Sequence, residues 1–248
     1  MDKTLPDLHY PLGQRPADGE VIEVAPGVRW LRLGLPFALN HINLWLLRDQ
    51  AQGRDGWTVV DACLDIPQAR LAWEHVFAHH LDGLPILQVV VTHMHPDHVG
   101  LAHWLCERWQ APLCMSSSDY LNARLGCGTV RGFGGDSTAD FFMQHGLGDP
   151  EGLKAVKRHG PSYGELVPKM PASYRRLVHG QVLRMQGKAW RCIVGRGHAP
   201  EHMALFDADS GILISGDMVL PRISTNVSVF ETEPEGDPLG LFLSSLER

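Results

Sequence analysis

An apolar run, Ile86-Leu-Gln-Val-Val-Val91, ends at Thr92 and is followed at once by His93-Met-His95-Pro-Asp97-His98. The run reads as a buried strand. A strand that stops there releases three imidazoles and a carboxylate into the turn at its carboxyl end. His93 and His95, two apart in extended chain, point to one side and can grip one ion. Asp97 and His98 fall on the turn beyond and can grip a second. A helix then begins at once, with Pro96 in its first turn, Asp97 as its acidic start, and Val99, Leu101, Ala102, Leu105 and Cys106 as its apolar face. Imidazole with carboxylate suits zinc, iron or manganese, and the lack of thiolate argues against a closed structural zinc site.

The remaining sequence bounds the setting. With 248 residues and 44% hydrophobic content, the chain can bury one substantial core, so residues 1–248 are expected to form a single domain. Twenty-two basic against twenty-eight acidic side chains give a net charge of −6, which offers no general attraction to nucleic acid or anionic membranes. The N-terminus has no apolar signal region and no stretch approaches the ~18 apolar residues of a membrane span, so a soluble cytoplasmic protein is expected. Cys63, Cys106, Cys114, Cys127 and Cys192 are odd in number and widely spaced, and they read as reduced core residues. None is a candidate nucleophile.

Taken in order, residues 1–19 read as an irregular arm. Strands are expected at 21–24, 28–33, 42–47 and 57–61, separated by turns of the Pro-Gly and Gly-Arg-Asp-Gly kind. Pro67 then opens a helix whose Ala69, Ala72, Trp73, Val76, Phe77 and His80 form an apolar stripe at helical spacing. After a short strand at 112–115 the pattern loosens. Residues 116–180 read as a helical insertion, with helices near 119–125, 137–145 and 150–159 broken by glycine and proline. Strands return at 189–194, 203–206 and 211–215. The turn Gly195-Arg-Gly-His198-Ala-Pro-Glu-His202 and the pair Gly216-Asp217 sit at their ends. The closing stretch from Pro238 looks like the opening of an apolar helix without a stop signal, which suggests a domain cut short at its C-terminus.

Together these motifs resemble the metallo-β-lactamase superfamily: His93-x-His95-x-Asp97-His98 its signature, Gly197-His198 its next metal-binding turn, Ser215-Gly-Asp217 its bridging aspartate, and Asp61 an acidic residue before the first helix. The resemblance implies an α/β (α+β) fold, a four-layer αββα sandwich of two mixed sheets with helices outside and the site at one edge. It implies that His93, His95 and His198 hold a first metal, that Asp97 and His98 hold a second, and that Asp217 bridges. His202 reads as an orienting or core histidine, and Glu201 as a residue that could hydrogen-bond a neighbouring ligand. The family's further histidine for the second metal has no counterpart, since none follows His202. Asp217 argues against a true β-lactamase, and His95 against the diiron oxygen-reducing branch.

The function this implies is a metal-dependent hydrolase. One or two Zn2+ ions, or Fe or Mn, would supply a metal-bound hydroxide that attacks a thioester, lactone or related ester, as in the glyoxalase II-like (hydroxyacylglutathione hydrolase-like) and lactonase-like branch, with Asp97 as the catalytic acid and base. The expected partner is a small molecule. Segment 116–180 carries eight basic against six acidic side chains, so it could act as a lid toward an anionic substrate, with Phe133 and Tyr163 lining a pocket. No nucleic-acid or membrane partner is expected, and a homo-oligomer is compatible with the sequence. The competing readings are a mononuclear iron sulfur dioxygenase, a phosphodiesterase, and a non-catalytic binding member of the fold.

Overall fold

A computed structural model describes residues 8–128, 134–158 and 160–247. Among these, strands form two sheets. The first takes β1 (Val21–Ala25), β2 (Val28–Gly34), β3 (His41–Ala51), β4 (Arg54–Val60), β5 (Ile86–Val90), β6 (Leu113–Met115) and β7 (Arg175–Arg176) in chain order. It is antiparallel as far as β4 and parallel from β4 to β7. The connections dictate that change. Short turns and a short loop join the early strands, whereas α1 (Pro67–His79) separates β4 from β5, and α2 (Pro96–Val99) with α3 (Ala102–Trp109) separates β5 from β6.

The second sheet runs β11 (Ile212–Ile214), β10 (His202–Asp207), β9 (Lys188–Gly195), β8 (Val182–Met185) and is antiparallel throughout. The expectation of two mixed sheets is therefore corrected. Its strands follow one another through short connections that leave no room for a parallel crossover. The strands β7 and β8 carry no apolar alternation of their own and were not read from the sequence.

Side-chain alternation along β3 shows how the layers assemble. Ile42, Leu44 and Leu46 face Ala69, Trp73 and Val76 of α1 and Ala102 and Leu105 of α3, in the core between helices and first sheet. Leu47, on the opposite face, joins Val60, Val90, Trp190, Cys192, Met203 and Leu205 in the core between the two sheets. Wholly buried Trp57 and Trp73 each stabilise the fold by roughly 2–3 kcal/mol. Their indole N–H groups donate to Leu81 O at 3.0 Å and Ala62 O at 2.9 Å. On the far side of the second sheet, α8 (Pro238–Leu246) packs by β9, and Arg196 N donates to Ser245 Oγ at 2.9 Å. The result is the four-layer αββα arrangement.

Segment 116–180 carries α4 (Ser117–Gly126), α5 (Asp136–Gln144), α6 (Pro150–Lys157) and α7 (Tyr163–Leu166). The three expected helices are present, but the segment is less separate than its broken pattern implied. Tyr120, Ala123, Tyr163, Val167 and Met170 belong to the core around α1 and α3, and β7 pairs with β6. Phe133, named as a pocket residue, and Arg131, one of the segment's eight basic residues, lie outside the described residues. All five cysteines are free, and among the described residues no helix is long and apolar enough to cross a membrane.

Candidate metal centre

Because β4 and β5 are parallel, Asp61 and Thr92 leave the same edge of the first sheet side by side. The second sheet reaches that edge through β10, where Met203 N donates to Thr92 O at 2.7 Å. Three loops thus converge: the one after β5 with His93, His95, Asp97 and His98, the one after β9 with His198, and the turn after β11 with Asp217. Two glycines make room. A Cβ at Gly216, which has φ +50°, would overlap the His202 ring, and one at Gly197, φ +93°, would overlap Pro238 O.

The ligand atoms of His93, His95, His198 and Asp217 lie within 4.8 Å of one another. His93 Nε2 is 2.9 Å from His95 Nδ1 and 3.1 Å from His198 Nε2, while Asp217 Oδ2 is 3.5 Å from His198 Nε2. His98 Nε2 stands 3.4 Å from Asp217 Oδ1 and 3.7 Å from Asp97 Oδ2. The sequence-derived residues are therefore brought together, the first-metal set most tightly and Asp97 at the margin.

The tautomers, assigned from hydrogen-bond partners, test whether a cation fits. His198 Nδ1 faces the Asn226 carbonyl at 2.9 Å, so the proton sits there and Nε2 carries a lone pair. The Thr92 hydroxyl donates to Asp61 and accepts from His93 Nδ1 at 3.0 Å, which leaves His93 Nε2 as a lone pair too. His98 Nδ1 donates to Asp61 Oδ2 at 2.8 Å, and its Nε2 is buried without a hydrogen bond. His93 Nε2, His198 Nε2 and the Asp217 carboxylate thus face one another as acceptors, an arrangement that a divalent cation would satisfy.

Burial, and then the neighbouring imidazoles, hold His93 and His202 well below the ordinary histidine range, and the same causes lower His95 to about 3. All three imidazoles are neutral, and His93 and His95 are ready to ligate. Burial pulls His98 down, but Asp61, Asp97 and Asp217 outweigh it and raise it well above its usual value. Asp217 stays well below the carboxylate range because His98, with His198 and His202, outweighs burial.

Other residues hold this centre in place. Asp61, in the left-handed region at φ 64°, accepts from Thr92 N at 2.7 Å and from His98, so its strained backbone aims one carboxylate at both. His202 is wholly buried and accepts from Asp217 N at 3.1 Å, as the orienting reading expected. Glu201 differs from expectation: it accepts from the Ser118 hydroxyl at 2.7 Å and touches no candidate ligand, because its side chain turns toward α4.

Asp119 was missed. Its buried carboxylate accepts from Met94 N at 2.9 Å, between His93 and His95, and from Glu201 N at 2.8 Å, three residues past His198. One side chain thus ties both histidine loops to α4. Burial raises its pKa, and those backbone donors oppose the rise. The visible sequence signal was Ser116-x-x-Asp119, which reads as a helix start; the Ser116 cap is present. Tyr163, expected to line a pocket, instead donates its hydroxyl to Met94 O.

A sequence model of the Metallo-beta-lactamase superfamily matches residues 39–247. The chain belongs to that superfamily. A beta-lactamase domain protein from Burkholderia ambifaria superposes with a TM-score of 0.87 at 51% identity, covering 96% of this chain and 68% of that one. A metallo-beta-lactamase family protein from Thermus thermophilus gives 0.69 at 28% identity, covering 91% and 70%. The Bacillus subtilis protein named "Probable metallo-hydrolase YqjP" is 27% identical over 226 residues, 88% of this chain. The chain spans less than two thirds of the curated relatives it matches, 66% of that protein and 47% of a second. Membership of the superfamily, with its divalent-metal chemistry, agrees with the His and Asp cluster.

Proposed function

We propose that this superfamily member is a metal-dependent hydrolase of carboxylic esters, with a thioester or lactone of the glyoxalase II-like and lactonase-like kind as substrate. The observation that carries the reading is the place of the centre: His198 and Asp217 form part of the wall of an open cavity of about 480 Å³ whose remaining lining is Leu39, Leu220, Ile223 and Val227 with the polar Ser224, Thr225 and Asn226. Such a mixed wall suits an acyl group that carries a polar ester or thioester. None of the basic residues of segment 116–180 lines this cavity among the described residues, which favours an apolar acyl chain over an anionic tail.

His93, His95, His198 and Asp217 would hold one ion, and Asp97 and His98 would hold a second that shares Asp217. Zinc fits these donors, as do iron and manganese. When bound, such an ion supplies a Lewis acid and acidifies coordinated water from 15.7 toward about 7. Asp97, a fifth exposed beside the centre, would take the proton of the attacking water and return it to the leaving alkoxide or thiolate. Asp61 fixes the His98 ring so that its Nε2 faces the centre. Thiol nucleophiles compete poorly, since burial pushes Cys63 and Cys192 up to about 12.

The test is a panel on metal-loaded protein: a glutathione thioester, a medium-chain lactone, an aryl phosphodiester, and a persulfide with oxygen uptake recorded. Turnover of the thioester or lactone at least tenfold above the phosphodiester is expected. Faster phosphodiester cleavage would overturn the substrate class. Oxygen uptake without hydrolysis would replace the reading with a dioxygenase.

A further inference from the structure

A second set of imidazoles lies outside this centre, at the end of α1. His75 and His79 are one helical turn apart, with ring centroids separated by 4.5 Å, and His80 caps the helix with its ring 5.6 Å from that of His75. Glu20, just before β1, reaches between them. Its Oε1 is 3.1 Å from His75 Nε2 and its Oε2 is 3.1 Å from His80 Nε2. We infer that Glu20, His75 and His80 form a second, separate site for a divalent transition-metal ion of the zinc, nickel or copper class.

Ordinary surface ion pairing accounts poorly for this cluster. A single carboxylate lies 3.1 Å from each of two imidazoles, with the His79 ring packed against both. Moreover, His80 Nε2 is buried and too poorly aligned with Glu20 to make a hydrogen bond. That atom is left with a carboxylate nearby and no satisfied partner, the condition a cation would relieve. The ligand atoms of Glu20, His75 and His80 all lie within 4.8 Å of one another, so small side-chain rotations would close them on one ion.

The backbone holds both halves of the site in place. Gly19, at φ +79°, passes close over Ala72 of α1, and Glu20 N donates to Ala17 O at 3.0 Å. On the other side, Arg29 Nη1 donates to His80 O at 2.7 Å. The ligands thus come from two chain segments that the fold has already fixed, and a bound ion would staple the arm before β1 to the end of α1. Two nitrogens and one carboxylate leave a position for water, with His79 beside it as a further imidazole.

The test uses the whole chain, stripped of metal and titrated with Zn2+ alone, with bound equivalents counted by equilibrium dialysis. Wild-type protein should bind one equivalent more than a His75→Ala/His80→Ala variant. A His93→Ala/His198→Ala variant should keep that equivalent while losing metal at the other centre. Glu20→Gln should weaken the same equivalent at least fivefold and leave the others unchanged. The inference is overturned if the His75→Ala/His80→Ala protein, with an unaltered circular dichroism spectrum, binds as many equivalents as wild type. Should that variant fail to fold, Glu20→Gln decides: unchanged affinity of every equivalent overturns the inference as well.

Discussion

His93 and His98 are almost wholly shielded from water, whereas His75 and Glu20 expose 45% and 49% of their side chains. Both clusters use imidazole and carboxylate, and both draw on separate parts of the chain. They differ in what surrounds the donors. In the buried centre three of the four imidazoles are oriented by a second partner: Thr92 for His93, Asp61 for His98, the Asn226 carbonyl for His198. In the surface cluster the imidazoles have the shared carboxylate and little else. Burial therefore prepays the ordering of the first centre and leaves the second to depend on the ion itself.

The sharpest way to break this comparison is to remove a ligand from the buried centre. His198→Ala should lower metal affinity by more than about a hundredfold, since losing an outer partner alone costs about 10–100-fold. Ester turnover should fall with it. Full metal content and activity in this variant would show that the loop after β9 does not ligate.

Asp119→Asn should come next. The amide keeps one acceptor, so either Met94 N or Glu201 N is left facing an N–H₂ group in a buried position. An orphaned buried donor costs about 1–3 kcal/mol, to be read as a lower denaturation midpoint. Metal affinity should fall about tenfold, because the two histidine loops lose their common tie. A variant that lost stability yet kept wild-type affinity would reduce Asp119 to an ordinary structural residue.

How far these regions could be read from sequence follows the same division. The first centre was legible because four of its donors lie within His93–His98, directly after an apolar run, and because its other ligands each close a strand. Composition announced the strands Val28–Leu33, Ile42–Leu47 and Trp57–Asp61, but the αββα layering followed only from the resemblance of the motifs to the superfamily. Asp119 was not legible, since its role depends on backbone N–H groups 25 and 82 residues away in the chain. Nor was Glu20, whose meeting with His75 spans 55 residues. Segment 116–180 hid its attachment because only short pairs, Tyr120 with Ala123 on α4 and Tyr163 with Val167, reach the core, too few to read as an apolar stripe.

Acid should separate the two clusters as well. The unfolded chain protonates His95 near 6.5, whereas the folded, metal-free chain holds it to about 3. Between those values the unfolded state binds more protons, so stability rises with pH and is lost as pH falls through this window. From His95 alone the loss near pH ~5 is about 2 kcal/mol. His93 and His202 act in the same direction, and His98, whose value is raised, acts against them. Denaturant melts of metal-free protein at about pH 7 and 5 measure the balance, and a fold more stable at the lower value would mean that His98 dominates.

The smallest effect is expected at Glu20. In metal-free protein, Glu20→Gln removes two carboxylate–imidazole pairs, of which the one to His75 lies between half-exposed side chains. Exposed pairs of this kind contribute about 0–1 kcal/mol, because solvent screens them and their side chains lose freedom in forming them. The amide can still accept from one imidazole, so the change in denaturation midpoint should be barely measurable. A loss of about 2 kcal/mol or more without metal would show that the surface cluster is ordered in advance, as the buried one is. It would mean that the arm before β1 is held to α1 by the protein's own charges, and the difference drawn between the two clusters would vanish.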